Sequence, residues 1–75
     1  MNEPPPGAQT VSLAEALPRE IERVQELIPM YESVSMGFIA ASMMRESIKQ
    51  AHAAMMAGDV VAMLRCYGDL KGYNA

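Results

Sequence analysis

The stretch SMGFIAASMMRESIKQAHAAMMAGDVVAML, residues 35–64, decides the fold. From Met36 to Ala57 it holds no proline and is dense in Ala and Met, which favour helix, so a helix of about six turns is predicted there. Gly58 and Asp59 then interrupt it, since glycine takes the left-handed backbone that ends a helix and aspartate caps the next one. The junction reads as helix, tight turn, helix. Ala41, Met44, Ile48, Ala51 and Met55 recur at alternating three- and four-residue steps, a seam that a coiled-coil-like partner would fill and that we expect to serve an oligomer interface. Met43 and Met56 widen the apolar surface beyond it.

Downstream, Val60, Val61, Leu64, Tyr67 and Leu70 are expected to form the inner face of a third, short helix, weakened by Gly68 and ended by Gly72. Upstream, Ser12 and Glu15 match a capping box, which predicts a helix from Leu13, although Pro18 leaves open a start at that proline. Ile21, Val24, Leu27, Ile28, Tyr31 and Val34 follow at helical spacing and should face inward. Pro29 is expected to kink or break this helix near Ile28, with a turn over 33–37 and Ser35 as the next cap. The three prolines in MNEPPPGAQTV mark residues 1–11 as a flexible arm, leaving a helical domain over 12–75. The fold class is all-α, a helical hairpin plus a short C-terminal helix that oligomerises.

Size explains the last expectation. A folded part of roughly 60 residues builds a marginal core and usually needs a disulfide, a metal or a partner chain. Cys66 is the sole cysteine of the 75 residues, so no intramolecular disulfide is possible and association remains as the staple. The single cysteine, the lack of an apolar leader and the lack of a membrane-length apolar run read as a soluble cytoplasmic protein with no membrane partner. A net charge of −3 speaks against general nucleic-acid binding, though not against a small anionic ligand. Acidic residues crowd the first half of the chain and a slight basic excess lies in the second, a division that solvated helix faces also produce.

Two groups of side chains are candidate binding residues. Arg45, Lys49 and His52 follow at steps of four and three along one side of the middle helix, a stripe suited either to phosphates or carboxylates or to plain solvent exposure. Arg65 and Lys71, with Tyr67 and Tyr73, combine cations with aromatic faces, as nucleotide sites do. The structural alternative has Tyr67 in the core and Arg65 paired with Asp69. Cys66 is either activated by neighbouring positive charge or a buried filler. The eight methionines suit either core filling or an adaptable contact surface. There is no glycine-rich phosphate loop, no metal-ligand spacing and no nucleophile motif, so the chain reads as a non-enzyme with no cofactor and no metal.

From ELIPMYESVS (26–35) to GDVVAMLRCYGDLKGY (58–73), over about residues 21–73, the chain resembles small proteins encoded by tailed phages and prophages. The resemblance implies a setting, an infected bacterial host, in which small accessory proteins act stoichiometrically on host targets. The expectation is a homo-oligomeric anti-defence protein that sequesters an anionic, cyclic nucleotide signal between subunits. Phage sponges for such signals resemble it in size and helical content, an analogy of fold and context. The alternatives are a protein that inhibits a host complex through its methionine-rich surface or acidic first helix, and a small virion assembly component.

Overall fold

The computed structural model describes residues 12–74, so the expected flexible arm at 1–11 lies outside the described residues. Three helices run in order, α1 (Leu13–Glu32), α2 (Gly37–Ala57) and α3 (Val60–Lys71), with no strand among the described residues. Each helix touches the other two.

The start of α1 is set by Ser12, whose hydroxyl accepts the Glu15 amide at 3.3 Å. Pro18 therefore lies inside the helix and does not begin it, and Pro29 does not break it. The two prolines are eleven residues apart, close to three full turns, and both are exposed. The carbonyls they leave without amide partners, those of Ala14 and Gln25, belong to exposed residues where water can serve them.

The α1–α2 turn departs from expectation. Met36, not Ser35, is the N-cap of α2; its φ is 67° and its side chain makes no cap bond. The left-handed backbone is needed because Gly37 is driven against α1. A Cβ on Gly37 would stand 1.7 Å from the carbonyl oxygen of Tyr31. Only glycine fits.

At the α2–α3 turn the chemistry expected of Gly58 and Asp59 is present. Gly58 has φ 66° and its amide donates to Met55 O at 3.1 Å, while the Asp59 amide donates to Ala54 O at 3.1 Å, a Schellman ending. The Asp59 carboxylate accepts the Ala62 amide at 3.1 Å and so opens α3.

The core joins Leu17, Ile21, Val24 and Leu27 of α1 to Met44, Ile48, Ala51 and Ala54 of α2 and to Cys66 and Leu70 of α3. Two expectations are corrected here. The seam assigned to an oligomer interface is occupied within the chain: Ala41, Met44, Ile48 and Ala51 are buried against the chain's own helices and Met55 packs beside them. Likewise α3 is rotated from the expected face, so that of its expected inner residues only Tyr67 and Leu70 pack against the core. Ala62, Met63, Cys66 and Leu70 turn inward, and Val60, Val61 and Leu64 are 59%, 67% and 57% exposed. Small side chains at Ala51 and Ala54 leave room for α3 to approach on its Ala62–Cys66 side, where bulkier valines would hold it off. Val34, expected inside, is also exposed.

Three side chains fasten the far end of α3. The Arg23 guanidinium donates to the Leu70 carbonyl at 2.9 Å while paired with Glu20 at 3.0 Å. Tyr31 donates its hydroxyl hydrogen to the Asn74 carbonyl, and the hydroxyls of Ser47 and Tyr73 share a bond of 2.9 Å.

Candidate functional site

The seven candidate binding residues occupy three separate places. Arg45, Lys49 and His52 are exposed along the flank of α2 that borders α1, and Arg45 is engaged by Glu32 of α1. Its charge is therefore compensated within the chain. Arg65 lines a shallow groove of about 340 Å³ between α2 and α3, together with Gln50, Ala53, Ala57 and Asp59. Gln50 stands five positions after Arg45, or about 140° around the helix, so this groove opens away from the Arg45 flank. Lys71 lies at the other end of α3, its Nζ 5.5 Å from the centre of the Tyr67 ring, beside a depression of about 320 Å³ lined with Glu20, Arg23 and Asn74. Tyr73 is tied to Ser47. One chain thus brings Lys71 and Tyr67 together but does not gather the four cations around a common pocket.

The tyrosines serve the fold where the nucleotide reading needed them free. Tyr67 and Tyr73 are half-buried against the core, and Tyr73 and Tyr31 both fasten the C-terminal segment. Cys66 is buried. Burial pushes its thiol pKa up, Asp69 pushes it further, and Arg65 lowers it by less. The activated-thiol reading is thereby corrected in favour of a core filler.

What the sequence reading passed over is the arrangement of exposed apolar side chains. On α3 the row Val61, Leu64, Gly68 runs at steps of three and four along the outer face, with Val60 beside it. Arg65, one turn beyond Val61, stands beside the middle of the row, and Lys71, two turns beyond Leu64, lies past its C-terminal end, while Asp59 caps the N-terminal end. A second group gathers at the α1–α2 turn: Met30, Val34, Met36, Phe38, Ile39 and Met43 are all exposed. The signal was present in α3, which carries apolar residues on both faces, a pattern unsuited to a helix with only one covered side.

No group of three or more His, Cys, Asp or Glu residues suited to a metal ion occurs among the described residues, and no described helix is long and apolar enough to cross a membrane. No family model, no curated protein and no solved structure matches the chain.

Proposed function

We propose that the protein is a non-enzymatic interaction module that docks the outer face of α3 into an apolar groove on another protein. The observation that carries this reading is the rotation of α3, which turns Val60, Val61 and Leu64 to solvent while Ala62, Cys66 and Leu70 hold the helix down. Apolar anchors at helical spacing on an exposed helix are the pattern by which helices seat in grooves. Arg65 beside the row and Lys71 past its C-terminal end call for a groove with an acidic rim, which would speed encounter and select the partner. The phage setting implied by the resemblance of residues 21–73 makes a bacterial host protein the natural class of target.

The nucleotide-sponge reading has weaker support, because its cations diverge in one chain and Arg45 is already paired. Affinity purification from bacterial cells, run side by side with wild-type protein and with Val61→Glu and Leu64→Glu variants, separates the two. The interaction reading expects a stoichiometric protein partner that both variants lose and that high salt weakens. A partner retained by both variants overturns it. So does a bound nucleotide that disappears with Arg45→Ala and Arg65→Ala.

A further inference from the structure

The third helix is too short for the hairpin it packs on. At 12 residues, α3 spans about 18 Å, against about 31 Å for the 21 residues of α2. It begins at the α2–α3 turn and stops level with Arg23 and Ser47, which hold its last residues through the Leu70 carbonyl and the Tyr73 hydroxyl. Past that point, Asn74 reaches Tyr31, whose hydroxyl donates to the Asn74 carbonyl, and exposed apolar side chains remain toward the α1–α2 turn. On α2, the exposed Met43 and Ile39 stand one and two turns past Ser47; on α1, the exposed Met30 stands two turns past Arg23, beyond the buried Leu27. Met30, Val34, Met36, Ile39 and Met43 are thus exposed toward the α1–α2 turn.

We infer that a second copy of this chain covers that end of the hairpin, in a two-fold dimer. Two observations point to a like partner. Met30, Val34, Met36, Ile39 and Met43, each about half exposed or more, present on the order of 500 Å² of apolar surface, in the upper part of the roughly 300–600 Å² of the largest patch on a monomer and a large share of the roughly 800 Å² per partner of a standard interface. A two-fold contact sets the same patch against itself, so any net charge in it would meet its own sign. None of these five residues is charged, the neighbouring Glu32 and Arg45 neutralise each other, and the next charges along the helices, Glu26 and Glu46, stand one turn back from Met30 and Met43.

The inference is independent of the α3 docking proposal, and sedimentation equilibrium of the full chain tests it. Wild-type protein should form a dimer in the micromolar range, and Ile39→Glu with Met43→Glu should weaken association on the order of 100-fold with unchanged helical circular dichroism. Leu64→Glu should leave the dimer intact, which separates failure here from failure of the α3 reading. A wild-type monomer at millimolar concentration overturns the inference, as does any assembly that survives the Ile39/Met43 pair. A monomer that instead binds a foreign protein through Ile39 and Met43 also overturns it.

Discussion

Gly37 is the residue on which the hairpin closes. Any side chain there drives a carbon into the Tyr31 backbone, which cannot swing aside as a flexible side chain would. Gly37→Ala should therefore cost about 3 kcal/mol in urea unfolding, the upper end for overpacking, whereas Gly68→Ala, which meets open space in mid-helix, should stabilise by about 0.5–1 kcal/mol. Cys66 gives a second test at this scale. Its thiol is raised by burial and by Asp69, so alkylation by iodoacetamide should run at least about tenfold slower in the native protein than in urea. Because the folded value lies above the unfolded one, the corresponding stability is complete below the unfolded thiol range and is lost as pH rises through the folded value. Cys66→Ala should remove that alkaline slope from the unfolding curve.

Among the elements, α1 is the one that departs most from its local preferences. It carries two prolines in its interior, and it persists because its opposite face buries Leu17, Ile21, Val24 and Leu27. Replacing Pro29 by Ala restores an amide donor for Gln25 and relieves the ring contact, and should raise stability by about 1 kcal/mol in thermal or urea unfolding. The helix boundaries at Ser12, Gly58 and Asp59 were legible in the sequence because each depends on bonds to residues three to five positions away. The path through Pro29 was not, since burial of a distant face outweighed the local penalty. The rotation of α3 was hidden for a related reason: Val60, Val61 and Leu64 have the same periodicity as Met63, Cys66 and Leu70, and only the fit against Ala51 and Ala54 chooses between them. The candidate cations were legible as residue types. Their divergence follows from how the helices are turned about their axes, and the engagement of Arg45 by Glu32 spans the α1–α2 turn.

For the whole molecule, the controlling fact is the mismatch between a short third helix and a long hairpin. It leaves one covered half, built around Leu17, Met44 and Leu70, and a second half, toward the α1–α2 turn, where Met30, Val34, Met36, Ile39 and Met43 stay exposed. A chain of this size gains the most from covering the second half, because little other core is available to it. Methionines report on every part of this arrangement, since peroxide oxidises an exposed thioether far faster than a buried one. The most direct measurement is therefore peroxide oxidation of the wild-type protein, mapped by mass spectrometry at concentrations below and above the association range. Met44, fully buried, should be protected throughout, and Met56, 89% exposed, should react throughout. Met30, Met36 and Met43 should be reactive in dilute solution and become protected as concentration rises. If those three oxidise as fast as Met56 at every concentration, no second copy covers the hairpin; if Met44 does so too, the helices are not packed as described.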